Sequence, residues 1–225
     1  MGPEADIRWL PALRDTMASI QHMPIPENRR VVLAELVDYL QKKQGAKQAV
    51  YLNFICTHNS RRSQLAQIWA HVASLYFGVK AHCVSGGTEE TAFFSAAIES
   101  LERAGFEVHK DAGENPTVRV TFSPDFGPVH AYSKTFDHAF PPGQAYAAIM
   151  TCSSADEGCP FIPQAEVRLA IRYDDPKAFD GSPQEAQAYD ESCLQIASEM
   201  FFVFSQIPPL AACPPVRNWA SSISI

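Results

Sequence analysis

The chain has 225 residues, 46% of them apolar, with a formal net charge of -7. That length allows one sizeable buried core, and the acidic balance argues against a nucleic-acid or anionic-membrane partner. No apolar run reaches 18 residues, and the amino terminus carries no charged leader ahead of an apolar core, so neither a transmembrane helix nor a secretory signal is expected.

Six cysteines, unevenly spaced, do not form the pattern of a secreted disulfide scaffold. They predict a reduced, cytoplasmic chain with some thiol chemistry. Residues 1–47 predict two helices. The first carries Ile7, Leu10, Leu13 and Met17, and the second, after Pro24 and Pro26, carries Val31, Val32, Leu36, Val37 and Leu40. Lys42, Lys43 and Gly45 stop the second helix. This amino-terminal helical extension is expected to pack or dimerise rather than to catalyse.

Val50 to Ile55 is a β-prone apolar run, and Leu65, Ile68, Trp69 and Val72 mark the inner face of a helix starting near Ser63. Between them lie Cys56-Thr57-His58-Asn59-Ser60-Arg61-Arg62. A loop in that place aims its backbone N–H groups at one spot, backed by the positive end of the helix dipole, which makes an anion cradle. A cysteine at its mouth is biased towards the thiolate by the same field. Arg62 adds a planar fork of donors suited to a tetrahedral oxyanion.

The spacing Cys-x5-Arg-Ser, with Asn59 and Ser63 in register, resembles the loop of low-molecular-weight tyrosine phosphatases. It resembles more closely that of their relatives, the thioredoxin-coupled arsenate reductases. The resemblance implies that Cys56 is the nucleophile, that residues Thr57 to Ser63 bind the oxyanion, that Ser63 bonds the Cys56 thiolate and that Asn59 braces the loop. It does not reach residues 1–47. The loop departs from the family in two places. His58 stands where glycine is usual, which would be strained if that position needed a positive φ. Arg61 stands where cysteine is common, adding positive charge near Cys56 or pointing to solvent.

Val79 to Ser85 predicts a second strand, broken by Gly86-Gly87, where Ser85-Gly86-Gly87 resembles a family turn that approaches the anion site. Thr91 to Ala104 predicts a helix ended by Gly105. Residues 114–140 alternate apolar and polar residues around Pro124 to Pro128. They predict an inserted β-hairpin, whose His130, Tyr132 and Lys134 either face an anion or form its polar side.

Tyr146 to Thr151 predicts a buried strand that delivers Cys152 to the edge where ligands gather in open α/β sheets. Cys152 and Cys159 can form a disulfide if the segment loops back to bring their Cα atoms within roughly 7 Å. In a helix they would stand about 10 Å apart and could not bond. Spacing leaves both arrangements open. TCSSADEGCPFIP resembles the redox segment of the thioredoxin-coupled reductases, and that resemblance implies a redox pair; the spacing argues against zinc. After a strand over Val167 to Tyr173 come Asp174-Asp175-Pro176. The family places its general acid in an Asp-Pro pair, so the resemblance implies Asp175 for that role, ahead of Asp174; the alternative is an ordinary turn. Glu185 to Ile207 predicts a long helix, stopped by Pro208 and Pro209, and residues 210–225 a loosely ordered tail.

The expected fold is α/β, a small doubly wound and mainly parallel sheet with flavodoxin-like topology over residues 48–209. Three functions fit. The first is an arsenate reductase using Cys56, Arg62, Asp175, Cys152 and Cys159, with no bound cofactor or metal and a thioredoxin-type reductant as co-substrate. The second is a phosphatase acting on phosphotyrosine or small phosphate esters through a cysteinyl-phosphate. The third is a non-catalytic oxyanion or redox sensor.

Overall fold

The run Val50–Cys56 forms β1, an inner strand of a four-stranded sheet in a computed structural model that describes residues 7–158 and 161–208. It is flanked by β2 (Ala81–Gly87) and β6 (Tyr146–Met150), and β7 (Ala165–Ala170) pairs with β6, giving the order β2-β1-β6-β7. Every pairing is parallel. The chain moves from β1 outward to β2, then crosses to β6 on the other side of β1. The carboxyl ends of β1 and β6 therefore flank the switch point, where doubly wound sheets bind ligands.

Both faces of β1 and β6 are covered, which is why they read as continuous apolar runs. Leu52, Phe54, Ala147 and Ile149 belong to the main core. Ile55, Tyr146, Ala148 and Met150 belong to a smaller cluster that also holds Cys56 and Cys152. The main core is shared by α1 (Pro11–Ile20), α2 (Glu27–Gly45), α3 (Arg62–Tyr76), α4 (Ser95–Arg103) and α6 (Glu185–Ser205). Leu13, Met17, Leu33, Leu36 and Leu40 thus lie in one cluster with Trp69 and Phe204. No helix among the described residues is long and apolar enough to cross a membrane.

Several local expectations change. Helix α1 begins at Pro11, so Ile7 and Leu10 precede it, and Leu10 N–H donates to the Phe122 carbonyl at 3.1 Å. Helix α2 buries Leu33, Leu36, Tyr39 and Leu40, while Val31 is 65% exposed. Strand β2 is not broken at the glycines but runs through them, with Gly87 opposite Cys56. Residues 91–94 are not helical: Thr91 N–H donates to Ser133 Oγ and Phe94 N–H to the Ser60 carbonyl, which ties them to the loop instead.

The inserted hairpin is present as β4 (Val118–Thr121) and β5 (Val129–Ala131), and β3 (Glu107–Lys110) joins it to make an antiparallel three-stranded sheet. The segment after β6 forms a short helix, α5 (Ser153–Gly158). Cys159 and the tail over 210–225 lie outside the described residues.

Candidate active site

Strand β1 ends on Cys56 and α3 starts on Arg62, so the loop over residues 57–61 sits where the sequence puts it. Its carbonyls are tied outward. Cys56 C=O accepts from Thr88 N–H, Thr57 C=O from Glu89 N–H, His58 C=O from the Thr91 and Ser133 hydroxyls, and Ser60 C=O from Phe94 N–H. No backbone N–H of residues 57 to 61 finds an acceptor among the described residues. A run of unpaired donors at the start of a long helix is an anion site by construction.

The left-handed position in the loop is Asn59, at φ 46°, and not His58. Asparagine tolerates that conformation, so the histidine carries no strain there. Asn59 Nδ2 donates to Ser63 Oγ at 2.9 Å, and its Oδ1 accepts from Lys134 N–H at 3.0 Å and from Gln64 Nε2 at 3.1 Å. With one lone pair of Ser63 Oγ so used, its proton can turn to Cys56 Sγ, 3.0 Å away. The nucleophile candidate is buried, 4% exposed.

Glycine is required where β2 ends. A Cβ on Gly87 would come within 2.6 to 2.8 Å of the Glu89 carbonyl, the Thr57 carbonyl and the Asn59 nitrogen. One on Gly86 would meet Phe136 Cα at 2.4 Å. The inserted sheet braces the loop from behind through Tyr132 C=O (from Gln64 Nε2, 2.9 Å), Ser133 Oγ and Lys134 N–H. His130, Tyr132 and Lys134 do not line the cleft around Cys56.

Arg62 Nη1 donates to the Tyr173 carbonyl at 2.9 Å, and Nη2 reaches Asp175 Oδ2 at 2.5 Å. Its Nε is buried and has no partner among the described residues. Asp175 Oδ1 in turn accepts from Lys177 N–H at 3.1 Å, at the start of a 3-10 turn over Pro176–Phe179. Asp174 is exposed, and it is Asp175 that lines the cleft. This cleft, about 180 Å³, is bounded by Cys56, His58, Arg62, Ser154, Asp175 and Lys177. Arg61 neither points to solvent nor serves the cysteine directly. Its Nε donates to Tyr189 Oη at 2.6 Å, its Nη2 pairs with Asp180 at 2.8 Å, and its guanidinium lies 4.0 Å over the Phe94 ring.

Cys152 lies two residues past β6, and Thr151 N–H and Oγ1 both donate to the Ile55 carbonyl, at 2.7 and 2.9 Å. That places Cys152 Sγ 3.5 Å from Thr57 Oγ1 and 3.4 Å from Ala155 N–H, at the start of α5. The segment that follows Cys152, Ser153–Gly158, is helical. Asp156 anchors that helix to β7 and its exit, pairing with Arg168 at 2.5 Å and with Arg172. Cys193 lies under the Trp69 Nε1–H, and burial pushes its thiol up to about 11; burial also pushes Cys83 up.

Sequence reasoning missed Ser154 and Lys177 on the cleft wall, Asp180 and Tyr189 around Arg61, and the Asp156 anchor. None had a motif. Asp180 and Tyr189 are more than a hundred residues from Arg61 in the chain, so only the fold joins them.

No family model matches the chain. An arsenate reductase from Bacillus licheniformis is 26% identical over 144 residues, covering 64% of this chain and 85% of the relative. Arsenate reductase 2 from Staphylococcus epidermidis is 28% identical over 130 residues, 58% and 79% of the two chains. Among solved structures, the YwlE mutant from Bacillus subtilis overlays with a TM-score of 0.50 at 13% identity, covering 70% of this chain and 98% of that one. The sheet order and the loop between β1 and α3 go with the fold of that structure, and in sequence the chain is similar to these arsenate reductases.

Proposed function

We propose that the protein reduces arsenate. The observation that carries this reading is the second sulfur at the loop: Cys152, 2% exposed, shares a buried cluster with Cys56 and lies 3.5 Å from the Thr57 hydroxyl. Hydrolysis of a phosphate ester requires no thiol there.

Arsenate would sit on the free N–H groups of the loop and on Arg62. Cys56 attacks arsenic, and Asp175 protonates the oxygen that leaves as water. Cys152 thiolate then attacks Cys56 sulfur; the sulfur–arsenic bond breaks, its electron pair stays on arsenic, and arsenite departs. Cys159 thiolate attacks Cys152, freeing Cys56 and leaving a Cys152–Cys159 disulfide. A thioredoxin-type dithiol supplies two electrons to reopen it. Each displacement needs a thiolate close to its target, and the last one needs the Cα atoms of Cys152 and Cys159 within roughly 7 Å. No bound cofactor enters the scheme.

Cys152→Ser should trap an arsenic adduct on Cys56, visible as an intact-mass increase, and stop turnover. Sustained turnover in that variant would end the proposal.

One observation favours a second reading, hydrolysis of phosphate monoesters. A second recess, of about 400 Å³, shares His58, Ser60, Arg61 and Lys177 with the cleft and extends to Lys110, more room than an inorganic anion fills. Cys56, Arg62 and Asp175 would act alike on a phosphate ester, with water resolving the cysteinyl-phosphate. Hydrolysis of p-nitrophenyl phosphate retained in a Cys152→Ser, Cys159→Ser double variant supports this reading.

A further inference from the structure

Nothing in the reaction as written uses the amino-terminal helices, yet one side chain of α2 reaches the backbone that holds Arg62. Arg29 donates from Nε and Nη2 to the two carboxylate oxygens of Glu199 on α6, at 2.8 and 2.6 Å. Its Nη1 donates to the Arg172 carbonyl at 2.9 Å, and the guanidinium lies over the Tyr173 ring, 5.0 Å from its centre. Glu199 is 1% exposed and the Arg29 side chain 17%, so the pair is largely withdrawn from water.

The segment so gripped is the exit of β7, and it carries much of the site. Tyr173 N–H donates to the Thr151 carbonyl, next to Cys152, at 3.1 Å. The Tyr173 carbonyl accepts from Arg62, and Asp175 meets the other arm of the same guanidinium. The side chain of Arg172 reaches Asp156 on α5. Helix α2 is tied to β7 again at Glu166, which accepts from Tyr39 Oη at 2.6 Å and from Lys43 Nζ at 2.7 Å.

A buried arginine–glutamate pair is poor evidence of stabilisation, because apolar side chains of similar volume often serve as well or better. An apolar pair would not hold a carbonyl. The fork of Arg29 does both tasks at once, with two donors on the carboxylate and a third on the backbone. We infer that Arg29 is a positioning residue: by pinning the Arg172 carbonyl and the Tyr173 ring, it fixes the strand exit that orients Arg62 and Asp175 at the oxyanion cleft. Helix α2 is then a working part of the site. The inference rests on reading that cleft as an oxyanion site and holds for reductase and phosphatase alike.

Inorganic phosphate is the probe, and its dissociation constant is measured by titration calorimetry on the full chain. Arg29→Ala and Arg29→Lys should both weaken phosphate binding by about tenfold or more, as expected when a donor is misplaced. Lysine keeps the charge opposite Glu199 but cannot span carboxylate and carbonyl together, so it answers the question if the alanine variant fails to fold. Leu33→Ala, a core truncation on the same helix, should lower the melting temperature yet leave phosphate affinity unchanged. Parent-like affinity in Arg29→Lys, or an equal loss in Leu33→Ala, overturns the positioning role alone. A parent protein that binds no phosphate overturns the oxyanion reading and this inference with it.

Discussion

Asn59 shows how much of the loop depends on one side chain. It takes the left-handed turn, orders Ser63 beneath Cys56, and receives Lys134 N–H from the inserted sheet. Lys134 itself is buried with its ammonium 4.5 Å from the centre of the Tyr132 ring, and no carboxylate pairs with it among the described residues. Burial pushes its pKa down to about 8 from 10.5. Between those two values the unfolded chain binds more protons than the folded one, so this group makes stability rise with pH across that window. Below pH 8 the folded protein carries the buried charge. Lys134→Met should therefore be more stable than the parent at pH 7. The gain should be about 1–2 kcal/mol once the lost cation–π contact is set against it. That margin should shrink from pH 8 to pH 10.5 in denaturant titrations; a margin independent of pH would show that burial of the charge is not its source. The sequence exposed Cys56, Asn59, Arg62 and Ser63 because they sit within eight consecutive residues. It left Arg61 ambiguous, since Asp180 and Tyr189, which occupy its fork, lie far along the chain.

The elements owe their legibility to burial on both faces. β1 and β6 are read from apolar runs because neither face meets water, and α3 from its Leu65, Ile68, Trp69 and Val72 stripe. Where an element is short or half-exposed, local pattern fails. β3 shows only one partly buried residue, Val108, and is defined by its pairing with β4. Gly86 and Gly87 look like strand breakers but extend β2, because their missing side chains admit Phe136 on one side and the loop on the other. Gly87→Ala would drive a methyl group into the Thr57 carbonyl and Asn59 nitrogen. It should weaken inorganic phosphate binding by about tenfold or more, again as a misplaced-donor effect. Gly45→Ala, with open space around it, should bind as the parent does. Unchanged affinity in Gly87→Ala would mean the loop yields without losing its shape.

Taken whole, the molecule brings three parts of the chain together: the loop after β1, Cys152 after β6 and Asp175 after β7. The amino-terminal helices share the main core with α3, α4 and α6, which a reading confined to the loop motif does not anticipate. The inserted sheet supports the loop through backbone groups, a contact that residue types do not disclose.

The most direct measurement is a thiol count on the reduced protein before and after one equivalent of arsenate, with the resulting disulfide mapped by peptide mass. The relay predicts that two of the six thiols disappear and that the bond joins Cys152 to Cys159. Six thiols remaining, together with Cys56-dependent release of phosphate from p-nitrophenyl phosphate, would contradict the reductase and leave a phosphatase in its place.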